Sequence, residues 1–171
     1  MLQLPGRLGT LKACDVMTKQ VILLKETDTI EQAVRQLKEQ HITGAPVVDQ
    51  SGIFVGILSV SDLIGRTKSD SGDPELPPVP LSSGDDDTTW ELFEKAYPLN
   101  EDVSAEAVGT LMSKRVTSVT QTAPLVEVAR VMCRGHWHRV PVVDEGVSLI
   151  GIISTMDILA ALVNTAEEAS E

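Results

Sequence analysis

Two cysteines in 171 residues, Cys14 and Cys133, are too few to staple a fold, so the core must rest on apolar packing rather than a disulfide framework. Cysteine this scarce suits a reducing interior, and the expected location is the cytoplasm. The opening stretch MLQLPGRLGTLKACDVMT lacks a basic flank, a continuous apolar run and a small-residue cleavage site, so no secretion signal is expected. Nor is any uncharged apolar run long enough to span a bilayer, and no membrane association is expected. Positive charge is also short, with 14 Lys and Arg against 25 Asp and Glu and a formal net charge of -11. Nucleic-acid affinity comes largely from clustered Lys and Arg that release counterions from phosphates, so DNA and RNA are not expected partners. What remains is an ordinary globular composition, long enough for one sizeable domain or two small ones sharing a core.

The chain is duplicated. GILSVSDLI at 56–64 and GIISTMDIL at 151–159 both read Gly-Ile-x-Ser-x-x-Asp and lie 95 positions apart. The same offset aligns Met17 with Met112, Val21 with Val116, His41 with His136 and Pro46 with Pro141, without a gap from Met17 through Ile64. Within that stretch PVVD recurs intact at Pro46–Asp49 and Pro141–Asp144. Constant register over this length marks an internal repeat.

Each half carries the same sequence of expected elements. A short β-like run, Val21–Leu24 or Val116–Val119, comes first. A helix follows, with apolar Ile30, Ala33, Val34 and Leu37 at i, i+3, i+4 and i+7, a spacing repeated by Leu125, Val128, Ala129 and Met132. PVV, a few turn-forming residues (DQSG or DEGVS) and a second apolar run predict a strand, a tight turn and a strand. A last helix opens at Ser-x-x-Asp. Between the halves, Thr67–Asp87 is rich in Pro, Ser, Gly and Asp and reads as an exposed linker. It leads into TTWELFEKAY, where Thr88 and Glu91 have capping-box spacing and Trp90, Phe93 and Tyr97 form one apolar stripe. Docking of that stripe on the chain itself is the expected arrangement.

A serine followed three residues later by an acid, where an apolar strand meets a helix, is first of all a helix start. Ser59 and Ser154 can cap the first turn while Asp62 and Asp157 return a bond and complement the helix dipole. Capping alone leaves the recurring Gly-Ile approach unexplained. Two rival chemistries have little material. Cys133, His136 and His138 form half a zinc site, and Cys14 and His41, in the other half, have no paired spacing, so no metal is expected. His41 and His136 are expected to cap or pack near a helix end. A serine nucleophile needs a base and an oxyanion hole, and neither the Gly-x-Ser-x-Gly elbow nor a supply of histidines is present. No catalytic residue is expected, and the chain is not expected to be an enzyme.

In order and twice over, DVMTKQV and TLMSKRV, HITGAPVVD and HWHRVPVVD, GILSVSD and GIISTMD resemble the paired cystathionine-β-synthase (CBS) domains of AMP-activated kinase γ-subunits, IMP dehydrogenases, chloride channels and stand-alone proteins. The resemblance covers nearly the whole chain except the linker. It implies an α/β fold, a tandem CBS-domain pair in which two β-α-β-β-α repeats pack about a pseudo-twofold axis. The expected divisions are a first repeat over 10–66, an acidic linker with a short amphipathic helix over 67–102 and a second repeat over 103–165. It further implies two clefts for an adenosine-containing ligand (AMP, ADP, ATP or S-adenosylmethionine), with no cofactor required and recognition rather than turnover. In that family the Asp carboxylate holds the ribose 2'- and 3'-hydroxyls and each cleft draws on both repeats. Carried over residue by residue, one site combines Ser59 and Asp62 with Val116, Ser118, Val119, His138 and Arg139. The other combines Ser154 and Asp157 with Val21, Leu23, Ile42, Thr43 and Gly44, and Leu23 departs from the small hydroxyl residue often found there. The resemblance also implies a homodimer and an unidentified regulated protein. The alternative is a structural interaction module whose clefts are degenerate.

Overall fold

The computed structural model describes residues 9–64, 86–96, 99, 101–145 and 148–168. The chain forms two compact units: a central one, Ile22–Val116, and a terminal one that joins the residues through Val21 to those from Thr117 onward. In the central unit β1 (Leu24–Lys25), α2 (Ile30–Glu39), β2 (Gly44–Val48), β3 (Phe54–Ser59) and a helix α3 that is described over 60–64 follow one another. Then come α4 (Asp86–Ala96), α5 (Glu101–Ala105) and α6 (Val108–Leu111). The terminal unit holds α1 (Ala13–Val16), β4 (Val119–Thr120), α7 (Leu125–Gly135), β5 (Arg139–Val143), β6 (Leu149–Ser154) and α8 (Thr155–Glu168).

Each unit has a three-stranded sheet with one parallel and one antiparallel pairing, in the order β1-β2-β3 or β4-β5-β6. Local chemistry accounts for the central helix. Thr29 starts α2 by accepting from Gln32 N at 3.2 Å, and the Gln32 side chain accepts from Thr29 N at 2.9 Å, a reciprocal cap that satisfies two orphan donors. At its end His41 takes φ 53° while Ile42 N donates to Leu37 O at 3.0 Å, the wrap-around closure of a Schellman turn. His136 does the same work after α7, with φ 54° and Trp137 N donating to Met132 O at 3.0 Å. Both histidines therefore sit at helix ends, as the repeat suggests, in a left-handed conformation that glycine more often fills.

The apolar stripe of α2 is buried at Ile30, Ala33 and Leu37 and covers Leu24, Ala45, Val47 and Leu58 of its sheet. Trp90 and Phe93 of α4 enter this core at 2% and 1% exposure, so the aromatic stripe docks within its own chain. In the terminal unit Leu125, Val128 and Met132 of α7 pack with Val119, Val140, Val142 and Ile153.

Two expectations about local elements need correction. The first strand of each half is not Val21–Leu24 or Val116–Val119; only Leu24–Lys25 and Val119–Thr120 join the ladders. Leu24 pairs with Val47 and Val119 with Val142, so the next residue of the partner strand would be Pro46 or Pro141, which has no N–H to donate. The helix α4 starts at Asp86, so Thr88 lies inside its first turn instead of preceding it. Residues 67–85 of the expected linker, and Tyr97, lie outside the described residues. Among the described residues no helix is long and apolar enough to cross a membrane.

The compact units exchange the segments that lead into the two repeats. The lead-in to the second repeat, α6 with Ser113, belongs to the central unit, where Val108 N donates to Asp28 O and Gly109 N to Glu26 O at 2.8 and 2.9 Å. The lead-in to the first, α1 with Thr18, belongs to the terminal unit, where Ala13 N donates to Ala123 O at 2.9 Å. Each lead-in then crosses the glycine of Gly-Ile-x-Ser-x-x-Asp. Ile57 and Ser113 exchange backbone hydrogen bonds at 3.0 and 2.8 Å, and Ile152 and Thr18 at 3.0 and 2.9 Å. A Cβ on Gly56 would lie 2.7 Å from Ser113 O, and one on Gly151 would lie 2.6 Å from Met17 Sδ. At Gly56 the constraint is close backbone approach, whereas at Gly151 the nearest neighbour is a side-chain sulfur and the nearest carbonyl, Thr18 O, stands at 3.1 Å.

Candidate functional site

Ser59 ends β3, and its backbone N and Oγ both donate to Asp62 Oδ2 at 2.8 Å. Ser154 ends β6 and donates in the same two ways to Asp157 Oδ2 at 2.7 Å, while Asp157 N donates back to Ser154 Oγ at 3.2 Å. The helix-start reading is realised in full at Ser154 and, at Ser59, in the bond that Asp62 returns, and the turn does more than cap. It holds each half-buried carboxylate in one orientation with Oδ2 turned into its own turn, leaving Oδ1 as the oxygen with acceptor capacity.

The two turns then differ. Ser113 Oγ donates to Asp62 Oδ1 at 2.6 Å. Within the described residues of the terminal unit, Asp157 Oδ1 accepts no such bond. Ser113 was not foreseen as a site residue. The signal for it lay in MTK and MSK, which put a hydroxyl at the same repeat position, Thr18 and Ser113.

The central unit holds Leu23, Ile42, Thr43, Gly44, Ser59, Asp62 and Val116 of the expected ligand residues. Gly44 lies opposite Ser59 in the ladder, so close that a Cβ on it would meet Ser59 Cβ at 3.0 Å, and Val60 N donates to Thr43 O at 3.0 Å. Ile42 is tied to the linker helix, since its carbonyl accepts from Trp90 Nε1 at 3.0 Å. The terminal unit holds Val21, Ser118, Val119, His138, Arg139, Ser154 and Asp157. Arg139 lies opposite Ser154, and Thr155 N donates to His138 O at 3.0 Å. Val119 is a core residue, so its side chain is spent on packing. Leu23 is exposed. Within each unit the motif therefore neighbours the pre-proline segment of its own repeat.

Other arrangements supply little chemistry. Among the described residues no group of three or more His, Cys, Asp or Glu could hold a metal ion. A shallow depression between α2 and α4, lined by Glu31, Val34, Arg35, Lys38, Glu39 and Glu94, contains the Lys38–Glu94 ion pair and none of the expected site residues.

A family model for the CBS domain matches residues 13–68 and again 108–164. The chain is 32% identical over 158 residues to the CBS domain-containing protein CBSX1, chloroplastic, of Arabidopsis thaliana, a match covering 91% of this chain and 65% of that protein. It is 28% identical over 152 residues to the uncharacterized protein MJ1426 of Methanocaldococcus jannaschii, covering 87% and 89%. Among solved structures, Arabidopsis CBSX2 in complex with AMP superposes with a TM-score of 0.65 at 24% identity, over 90% of this chain and 96% of that one. The CBS domain pair of MJ0100 in complex with 5'-methylthioadenosine and S-adenosyl-L-methionine gives 0.63 at 20%, over 90% and 97%. At those identities the superpositions establish the fold, an α/β tandem pair. The chain spans only about two thirds of CBSX1.

Proposed function

Since this chain belongs to the CBS-domain family and carries the domain twice, we propose that it is a non-catalytic regulatory module that binds an adenosine derivative: AMP, ADP, ATP or S-adenosylmethionine. The observation that carries this reading is the turn built twice, in which a serine holds Oδ2 of an aspartate while Oδ1 keeps acceptor capacity, in part at Asp62 and in full at Asp157 within the described residues of its unit. A carboxylate fixed in that way is an acceptor-only group suited to vicinal ribose hydroxyls. The ligands held by CBSX2 and MJ0100 support the adenosine class. The proposed ligand residues are those expected from the sequence, with Ser59, Asp62, Ser154 and Asp157 on the sugar and Arg139 the candidate phosphate donor. No cofactor is required, the location is the cytoplasm, and an unidentified protein is the regulated partner. In the alternative reading the chain is an interaction module with degenerate clefts.

Melting in the presence of nucleotides separates the two. A ligand that binds only the folded state, at 100 times its Kd, adds about 2.7 kcal/mol of stability. For a chain of this length that is expected to raise Tm by roughly 5–10 °C. Asp62→Ala and Asp157→Ala should each remove part of the shift, and the double variant all of it. If millimolar AMP, ADP, ATP and S-adenosylmethionine all leave melting of the parent unchanged, the interaction-module reading stands instead.

A homodimer is part of the same proposal. Met156, Leu159, Leu162 and Val163 of α8 are between 45% and 68% exposed and share one helical stripe, an apolar face that a second copy would cover. Light scattering is expected to return twice the 18.4 kDa chain mass. A monomer mass at about 50 μM protein, well above typical dimer dissociation constants, would reject it.

A further inference from the structure

Resting on the ribose-binding reading above, we propose that Ser113 sets how many sugar hydroxyls Asp62 can hold, so that the Asp62 turn reads one hydroxyl where the Asp157 turn reads two. The argument is a count of acceptor positions. A carboxylate offers about four, two on each oxygen. At Asp62 the Ser59 N and Oγ fill Oδ2, and Ser113 Oγ takes one of the two positions on Oδ1. About one position is left. At Asp157 the Ser154 N and Oγ fill Oδ2 in the same way, and within the described residues of the unit Oδ1 keeps both positions, enough for a vicinal diol.

Ser113 is not a passing contact. Its 2.6 Å bond lies in the range of a charge-assisted O–H···O bond, and its backbone is pinned on the Ile57 rung from both directions, at 2.8 and 3.0 Å. The hydroxyl therefore has only its own side-chain torsion to lose by staying on Asp62. Thr18 is pinned on the equivalent rung by Ile152, yet within its unit no hydrogen bond joins its hydroxyl to Asp157. A β-branched side chain has fewer accessible torsions for reaching the carboxylate. The difference between serine and threonine at one repeat position thus makes two copies of one motif unequal.

The test is calorimetry with AMP, 2'-deoxy-AMP and 3'-deoxy-AMP on two proteins that each keep one aspartate. The Asp157→Ala protein is expected to bind at least one deoxynucleotide within about threefold of AMP. The Asp62→Ala protein is expected to lose about tenfold or more for each, the lower end for a hydrogen bond to a charged group. Adding Ser113→Ala to Asp157→Ala should restore discrimination to about tenfold. AMP binding with deoxynucleotide ratios that Ser113→Ala leaves unchanged overturns this inference and spares the adenosine reading. A parent that binds none of AMP, ADP, ATP and S-adenosylmethionine overturns both. Melting gives a readout free of ligand: Ser113→Ala and Asp62→Ala should shift Tm non-additively when combined, and additive shifts overturn the inference whatever binds. Asp62→Asn and Asp157→Asn serve in place of any alanine variant that fails to fold.

Discussion

Trp90→Ala is expected to destabilise the central unit by about 3–5 kcal/mol, the range for removing a large aromatic from a core. The indole is 2% exposed and meets Phe93 edge to face, with ring centroids 5.6 Å apart at 89°. Its Nε1 donates to Ile42 O at 3.0 Å, so truncation opens a cavity and leaves that carbonyl without the bond. Both losses fall on the segment that leads to Thr43 and Gly44, opposite Ser59, and nucleotide binding should weaken alongside stability. Trp90→Phe keeps most of the ring but not the donor and should cost nearer 1 kcal/mol. Urea denaturation checks both, as a lowered midpoint with the slope retained. A loss below about 1 kcal/mol for Trp90→Ala, far under the aromatic-truncation range, would mean that α4 is not docked on this core.

Gly56→Val should cost about 3 kcal/mol, the upper end of overpacking. Even the first added carbon would lie 2.7 Å from Ser113 O and 2.9 Å from Met112 Sδ. The methionine can move; the carbonyl cannot without giving up the two backbone bonds between Ile57 and Ser113. Separating that rung would also withdraw Ser113 Oγ from Asp62. Gly151→Val should cost less, because the nearest atom there is the flexible Met17 Sδ and the nearest carbonyl, Thr18 O, stands at 3.1 Å. Thermal denaturation of the two variants gives the comparison, and equal losses would mean that backbone approach at Gly56 is not what sets the cost.

Much of this was legible before any coordinates. The stripes Ile30, Ala33, Leu37 and Leu125, Val128, Met132 are buried because a 3.6-residue period on one helix leaves a single face for a core to cover. The strand, turn and strand around PVVD follow from two short apolar runs on either side of turn residues, and the Ser-x-x-Asp helix starts follow from capping chemistry within four residues. The first strands were misplaced for a reason that local pattern does not carry. Whether Val21 or Leu24 joins a ladder depends on Pro46 across the sheet, a partner more than twenty residues away.

The sequence by itself determined the duplication, the amphipathic helix and the strand-turn-strand of each repeat, the family and the pair of candidate carboxylates, since each is written in spacing and residue type within a short window. Tertiary structure alone decided that the lead-in of each repeat packs in the unit built on the other, and that this crossing brings a carbonyl against glycine at 56 and a methionine side chain against glycine at 151. It alone placed Ser113 on Asp62, 51 residues away along the chain, while among the described residues no hydrogen bond joins Thr18 to Asp157. The physical reason is range. Propensity, capping and amphipathic period act over a few residues, whereas acceptor count at a carboxylate and clearance above a glycine are set by whichever distant segment the fold brings there.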